Sequence, residues 1–434
     1  MVQTSILLFL ASPLVSAAHG SRGSSAQAPL VAPDGQHHHV DPAILSALKH
    51  FSDPVDALTF LNPEMAEKLA EPRLLRIAGE REPRMLTEGD KMRLRRNHTK
   101  FADITDFQDL YQDNVSAMSG KAHLPNFTHQ SLIKPLFPQI STTEMHDSLK
   151  TLSSFYTRYS HSTTGEQSAV WLHDQIAEII KNAPFHTRIS LSYFTHDFAQ
   201  PSIIARFETK VADASLPLTI LGAHQDSMNY LFPLLPAPGA DDDGSGTITI
   251  LEAFKVLANS GYIPERGPVE FHWYAAEEDG LLGSQAVAKF KKETNSTIGA
   301  MMEFDMTAFV ARNATEEIGF IESEADPALT KWAANLAKEY STIPANIHVL
   351  PPGAGSDYMS FSKAGFPSTF ASEGNPSSGN GKYTGDYDPY VHSTRDTMYI
   401  DDETGVFSVE HMARFAELAI AFVVEQAGWN NVWR

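Results

Sequence analysis

Short apolar runs of strand length alternate with amphipathic helical patterns through most of the chain. The clearest runs of strand type are residues 216–223 (LPLTILGA), 269–276 (VEFHWYAA) and 298–304 (IGAMMEF). Helical periodicity is found over residues 166–182, 247–258, 329–340 and 406–426. This alternation is typical of a mostly parallel sheet covered by helices on both faces. From about residue 101 onward we therefore expect an α/β fold, built as a three-layer α/β/α sandwich.

Composition excludes several classes of protein. Of 434 residues, 42% are hydrophobic, which is too apolar for a disordered chain. The net charge of −20 argues against nucleic acid or an anionic membrane as a partner bound through a basic patch. The sequence contains no cysteine, which excludes disulfides, thiolate zinc sites, iron–sulfur clusters and a cysteine nucleophile.

The N-terminus has the pattern of a secretory signal peptide. Residues 6–15 (ILLFLASPLV) are apolar, and the small residues Ser16, Ala17 and Ala18 follow them. A membrane anchor is the alternative, but ten apolar residues are too short to span about 30 Å of hydrocarbon. We expect residues 1–18 to be removed and the protein to be extracellular. Asn-x-Ser/Thr sequons fit secretion and occur at Asn97, Asn114, Asn126, Asn295 and Asn313.

Residues 19–96 differ in character from the rest of the chain. Two helical patterns, at 41–51 and 54–75, precede the basic run 91–96 (KMRLRR). Residues 21–96 hold 11 basic and 11 acidic side chains, so the whole net charge falls on residues 97–434. In a secreted chain this favours a helical propeptide, cut near Arg95-Arg96 and removed on maturation. An ordinary N-terminal subdomain is the alternative, and the run His37–His39 is interpreted as a solvated tail.

Metal-ligand side chains follow each of the three predicted strands. The first strand is followed by His224 and Asp226, the second by Glu277 and Glu278, and the third by Asp305. Ligand sites of open α/β sheets lie at this carboxyl edge. Burying several acids without basic partners is costly, so a bound cation explains them best. Oxygen and imidazole ligands without sulfur fit zinc, manganese or cobalt.

Two further segments complete a site for two cations. Residues 238–246 (PGADDDGSG) carry three aspartates between glycine-containing turns, so that one carboxylate can be aimed inward. His392, in the segment YVHSTRDT, supplies the second histidine that such a site needs. Two divalent ions about 3.5–4 Å apart, sharing one carboxylate and one water, form a recurring peptidase and phosphatase centre.

The ordered motifs AHQDS, PGADDDGSGT, YAAEEDGLLGS, MEFDMT, SD and YVHSTRDT resemble the M28 family of di-zinc aminopeptidases, in particular secreted fungal leucine aminopeptidases. The resemblance runs from about residue 101 to the C-terminus and implies a mixed central sheet of the zinc peptidase type. It implies two Zn²⁺ per chain, one bound by His224 and Asp305, the other by Glu278 and His392, with Asp242 bridging them.

The resemblance also implies the catalytic roles and the substrate. Asp226 would orient His224, and Glu277 would be the general base that takes a proton from the water between the ions. The Asp242–Asp243 bond would be cis. Residues 97–434 would form a secreted aminopeptidase acting on peptides with a free N-terminus and releasing apolar residues such as leucine. We expect a monomer.

The sequence departs from the family pattern at the wall of the side-chain pocket. The segment 351–357 (PPGAGSD) lacks the two cysteines that secreted relatives often carry there, and Gly353 stands where an aromatic residue is common. A preference for leucine over larger apolar residues is therefore not fixed. Met306, Phe370 and Val391 are candidate pocket residues or ordinary core residues.

Other enzyme classes lack support in the sequence. The chain contains neither the G-x-S-x-G elbow of serine hydrolases nor the H-E-x-x-H motif of gluzincins. His224 argues against the single-zinc glutaminyl cyclases that share this fold. A related carboxypeptidase or another amidohydrolase using the same di-zinc site stays open, and so does a non-catalytic binding domain.

Overall fold

The computed structural model describes residues 40–111, 121–184, 187–210, 213, 215–351, 353–377 and 385–430. The predicted signal peptide 1–18, the run His37–His39, the sequon at Asn114 and Pro352 lie outside the described residues. No helix within the described ranges is both long and apolar enough to cross a membrane.

The elements follow one another as an alternation of strands and helices. The strands are β1 (Pro72–Ile77), β2 (Arg84–Thr87), β3 (Phe101–Asp103), β4 (Ile189–Phe194), β5 (Ser202–Phe207), β6 (Leu218–His224), β7 (Val269–Tyr274), β8 (Ile298–Phe304), β9 (Phe309–Ala311), β10 (Ile318–Ile321), β11 (Ala345–His348), β12 (Ser368–Ser372) and β13 (Gly405–Phe407). The α-helices are α1 (Pro42–His50), α2 (Pro54–Leu61), α3 (Ala66–Leu69), α4 (Glu88–Arg96), α5 (Gln130–Ile133), α6 (Thr142–Leu152), α7 (Thr163–Asn182), α8 (Gly246–Asn259), α9 (Leu282–Glu293), α10 (Pro327–Tyr340), α11 (Tyr358–Ala364) and α12 (Val409–Ala427).

An eight-stranded mixed sheet forms the middle layer, in the order β11-β10-β12-β8-β6-β7-β5-β4. The central strands β7, β6, β8 and β12 run parallel to one another, whereas β5 is antiparallel to β7 and β10 is antiparallel to β12. Strand residues point alternately to the two faces, so Leu221 and Ala223 pack under α8 and α12, whereas Ile220 packs with α9 and α11. Both faces are covered, which confirms the predicted three-layer α/β/α sandwich.

Most predicted elements form where the patterns indicate, with shifts of a few residues at their ends. The helical pattern over 54–75 is wrong at its end, because the helices stop at Leu69 and β1 begins at Pro72. The closing helix begins at Val409 rather than 406, where Ser408 caps it by accepting a hydrogen bond from the His411 amide.

The predicted N-terminal segment is joined to the rest of the protein by a small antiparallel sheet. Its strand order is β2-β1-β3, so β1 pairs with β3 across the predicted boundary at residue 97. The apolar faces of α1, α2 and α4 pack on Phe232 and Leu235. The basic run 91–96 lies in α4, where Arg95 is buried.

Candidate metal centre

The sheet brings three of the predicted ligand segments to one edge. His224 is the last residue of β6, Glu278 follows the end of β7, and Asp305 directly follows β8. Because β7, β6 and β8 are adjacent and parallel, their carboxyl ends meet at the same edge of the sheet. Asp242 comes from the loop that leads into α8, and His392 from the loop before β13.

The five predicted ligand side chains form two groups that share one carboxylate. The ligand atoms of His224, Asp242 and Asp305 lie within 4.8 Å of one another, and so do those of Asp242, Glu278 and His392. Nε2 of His224 lies 3.1 Å from Oδ1 of Asp242, while Nε2 of His392 lies 2.9 Å from Oδ2 of the same residue. The two oxygens of Asp242 thus face the two histidines separately, as a bridging carboxylate would.

The loop around Asp242 is held by hydrogen bonds from its own backbone and its neighbours. The Asp242–Asp243 peptide bond is cis, as expected. Asp396 accepts hydrogen bonds from the amides of Asp241 and Asp242, at 2.7 and 3.1 Å. A side chain at Gly246 would meet the Phe304 carbonyl at 2.3 Å, so α8 can approach β8 this closely only with glycine there.

Asp226 connects the two strands that carry His224 and Glu278. Its Oδ1 lies 3.4 Å from Nδ1 of His224 and accepts a hydrogen bond from the Glu277 amide at 3.0 Å. Its Oδ2 accepts from the Glu278 amide at 3.2 Å. A carboxylate in this place fixes the ring of a ligating histidine and the backbone of the loop that follows β7.

The two glutamates that follow β7 favour their protonated forms when no cation is present. Burial raises the pKa of Glu278 well above its usual value, and the charge of Asp242 raises it further. Burial likewise raises the pKa of Glu277, whose side chain opens onto a cavity. For His224 burial alone would lower the pKa, but the carboxylates of Asp305, Asp226 and Asp242 raise it well above the usual value.

His392 differs from His224 because a cation lies near it. Burial and the ammonium group of Lys100 lower the pKa of His392 to about 4, against the opposing charge of Asp242. Its imidazole is therefore neutral at physiological pH, the form that binds metal ions. The ring of Tyr230 stacks on it, with centroids 3.8 Å apart, and the Tyr230 hydroxyl donates to Oε2 of Glu278 at 2.7 Å.

The donor set fits zinc. Nε2 of His224, Oε1 of Glu278 and Oδ1 of Asp305 are buried without a hydrogen-bond partner. Within the described part of the chain, no lysine or arginine forms an ion pair with Asp242, Glu278 or Asp305. Buried carboxylates without basic partners, beside imidazole nitrogens, are what a zinc site of nitrogen and oxygen ligands requires.

Several residues of the site carry no signal strong enough to find from the sequence. Tyr230 lies in a loop without a motif. Asp396 and Asp357 belong to the segments YVHSTRDT and SD, yet nothing in one sequence assigns them a partner. The candidate pocket residues Met306, Phe370 and Val391 do not line the cavity above Glu277 and Glu278.

Comparison with known proteins identifies the family. The sequence profile of Peptidase family M28 matches residues 202–416. Leucine aminopeptidase 1 of Neurospora crassa is 40% identical over 352 residues, which cover 79% of this chain and 83% of that protein. The chain belongs to peptidase family M28. Leucine aminopeptidase 1 of Grosmannia clavigera is 38% identical over 379 residues, covering 85% of this M28 peptidase and 88% of the relative.

A solved structure extends the likeness to the fold. The LapA aminopeptidase of Legionella pneumophila superimposes with a TM-score of 0.68 at 25% identity, covering 84% of this chain and 96% of its own. Residues 97–434 make up less than 84% of this chain, so the matched region includes part of the N-terminal segment. Because its relatives are leucine aminopeptidases and M28 zinc aminopeptidases, this M28 peptidase is a zinc-dependent metallo-aminopeptidase.

Proposed function

We propose that the chain is a secreted aminopeptidase that removes apolar N-terminal residues from peptides with two zinc ions per chain. The observation that supports the count is the sharing of Asp242 between two ligand groups. In this assignment His224 and Asp305 hold one ion, Glu278 and His392 hold the other, and Asp242 bridges them. When bound, the pair of ions supplies Lewis acidity, activating water and favouring the charged form of nearby carboxylates.

Glu277 is the general base of this proposal. Its carboxylate faces the cavity, and its amide is fixed by Asp226 at 3.0 Å. It takes a proton from the attacking water at one carboxylate oxygen and passes it to the departing amine. Asp226 acts through His224 and the loop after β7, so it is a positioning residue.

The acidic surroundings of the site support an exopeptidase with a free amine in its substrate. Buried Asp357 and Glu303 lie near Asp305, and the charges of Asp357 and Asp305 contribute to the raised pKa of Glu277. A substrate ammonium group placed beside these carboxyl groups would donate hydrogen bonds to their oxygens and favour their charged forms.

The experiment that tests this function compares chromogenic amides of leucine, phenylalanine and alanine with their N-acetylated forms. We expect hydrolysis of the free-amine substrates and at least a 100-fold loss on acetylation. Cleavage of N-acetyl substrates at similar rates would contradict the aminopeptidase assignment. A parallel measurement of zinc content in the purified protein tests the count of two.

Secretion, the propeptide and the monomeric state belong to the same proposal. The sequons Asn97, Asn126, Asn295 and Asn313 are all exposed, as glycosylation requires.

Separation of residues 19–96 would leave the buried acids Asp279 and Asp103 without their cations. We therefore expect a cut segment to stay bound. Size-exclusion chromatography after proteolysis checks this, and an active 97–434 fragment eluting alone would contradict it.

A further inference from the structure

A cavity of about 190 Å³ opens above Glu277 and Glu278, and four basic side chains lie on its wall: Arg76, Arg95, Lys100 and Lys363. Among the described residues, neither Arg76 nor Lys100 forms an ion pair with a carboxylate. Each instead lies over a tyrosine ring, Arg76 over Tyr111 at 5.5 Å and Lys100 over Tyr230 at 5.4 Å. The other two basic side chains of the wall are paired: Arg95 with Asp279 and Lys363 with Glu324.

Lys100 is fixed at this place by its surroundings. Its carbonyl accepts a hydrogen bond from the Ala78 amide at 2.9 Å, which ties it to the end of β1. The Tyr230 ring under its ammonium group is itself stacked on His392, and the Tyr230 hydroxyl donates a hydrogen bond to Glu278. The spare positive charge therefore lies on the Glu278–His392 side of the centre.

The opposite side of the centre is acidic. Asp305 lies 3.7 Å from Nε2 of His224, and Glu303 and Asp357 lie near Asp305, all three buried. A peptide with a free amine would place its ammonium group at these acids, since beside Lys100 the two positive charges would repel each other. The scissile bond then lies over Glu277, and the leaving part of the peptide extends toward Lys100 and Arg76.

Resting on the proposed function, we propose that Lys100 and Arg76 form a subsite for a carboxylate on the leaving-group side. A dipeptide spans roughly 7 Å from amine to carboxylate, which suits one group at the acids and the other at the spare cations. The carboxylate is either the C-terminus of a dipeptide or an acidic side chain at the second position. The substrate class is thus short or acidic peptides with an apolar first residue.

The test compares kcat/KM of the full chain for Leu-Gly and Leu-Gly-NH2, which differ only in the carboxylate. We expect a preference for Leu-Gly of about tenfold at low salt, shrinking as salt screens the charges. Lys100→Gln should bring the ratio close to one, Arg76→Gln should lower it in part, and Lys100→Arg should retain it. Lys181→Gln, the same charge change on the exposed end of α7, is the matched control and should leave it unchanged.

Two further peptides separate the sources of the carboxylate. A preference for Leu-Asp-NH2 over Leu-Asn-NH2 means that the subsite accepts a side chain, whereas a preference confined to Leu-Gly means that it accepts the chain end. Equal rates within both pairs, or a ratio unchanged by Lys100→Gln in folded protein, would overturn the subsite. Failure of the wild-type chain to cleave any of the four peptides would instead count against the proposed function.

Discussion

Glu278 and Asp279 are consecutive buried carboxylates with opposite electrostatic surroundings. Burial and Asp242 raise the pKa of Glu278, whereas Arg95 and Lys91 overcome the effect of burial at Asp279 and hold its pKa well below the usual range. The Asp279 carboxylate accepts hydrogen bonds from Nη2 of Arg95 at 2.5 Å and from the Ser160 hydroxyl at 2.7 Å. The Glu278 carboxylate instead accepts a hydrogen bond from the Tyr230 hydroxyl at 2.7 Å and lies 3.4 Å from Nε2 of His392.

The difference shows two ways in which one fold tolerates buried acids. At Asp279 and Asp103 the neutralising charge belongs to side chains of the protein, because α4 supplies Arg95 and Lys91. Among the described residues, no lysine or arginine pairs with Asp242, Glu278 or Asp305, and in the proposed centre bound ions supply the neutralising charge. The two regions meet at Glu278, whose carbonyl accepts a hydrogen bond from Nε of Arg95 at 2.8 Å.

The largest effect is expected at the proposed metal centre. Glu277→Gln keeps the size of the side chain and touches none of the five proposed ligands, but removes the proposed base. We expect hydrolysis of leucine amides to fall about 10²- to 10⁴-fold while zinc content is unchanged. Glu293→Gln, on the exposed end of α9, is the control. A near-normal rate in Glu277→Gln would refute its role.

Removing the arginine that pairs with Asp279 should lower the free energy of unfolding. Arg95→Met leaves Asp279 charged and buried, so we expect the free energy of unfolding to fall by about 3–5 kcal/mol. Arg96→Met removes an exposed hydrogen bond to the Ser52 carbonyl and should lower the free energy of unfolding far less. Denaturant titration measures both variants.

The double variant Arg95→Met/Asp279→Leu sharpens this prediction. It removes both charges of the pair, and we expect it to be more stable than Arg95→Met alone. Equal stability of the wild type and Arg95→Met would contradict the neutralising role of α4.

Asp226→Asn weakens the support of the centre without removing a ligand. Loss of the charge beside Nδ1 of His224 should lower zinc affinity about 10- to 100-fold. Competition with a zinc chelator gives the affinity. Asp213→Asn, at an exposed turn, provides the matched control. An unchanged affinity in Asp226→Asn would mean that the carboxylate does not position His224.

A smaller, pH-dependent effect distinguishes the two regions. Folded-state pKa values of the Glu277 and Glu278 carboxyls lie above their unfolded values, so their contribution to stability is present at low pH and lost as pH rises. Zinc replaces those protons. We therefore expect the rise in melting temperature caused by zinc to grow from pH 5 to pH 8.

Asp279 does not contribute to that change, because its lowered pKa keeps it charged throughout this range. Calorimetry of chelated and zinc-loaded protein measures the difference. A zinc effect that shrinks with rising pH would contradict the expected exchange of protons for zinc.

The two regions also differ in how far the sequence predicts them. His224, Glu278 and Asp305 each follow an apolar strand, so the parallel sheet itself predicts that they meet. Arg95 lies 184 positions before Asp279, and a local run of basic residues indicates only a solvated surface or a cleavage signal. The strand β1 begins with Pro72 and carries two arginines, so no alternation marks it, and the helical pattern of residues 54–75 extends over it. Pairing between distant charges depends on tertiary structure, which one sequence does not contain.

The most direct test is the zinc stoichiometry of the chelated and then reloaded full chain, measured by native mass spectrometry alongside activity. We expect two ions per chain in the wild type, at most one in His392→Ala, and activity that returns only with the ions. Full hydrolysis by protein that holds no metal, or two ions retained with normal activity in His392→Ala, would contradict a centre in which bound cations neutralise the acids at the sheet edge.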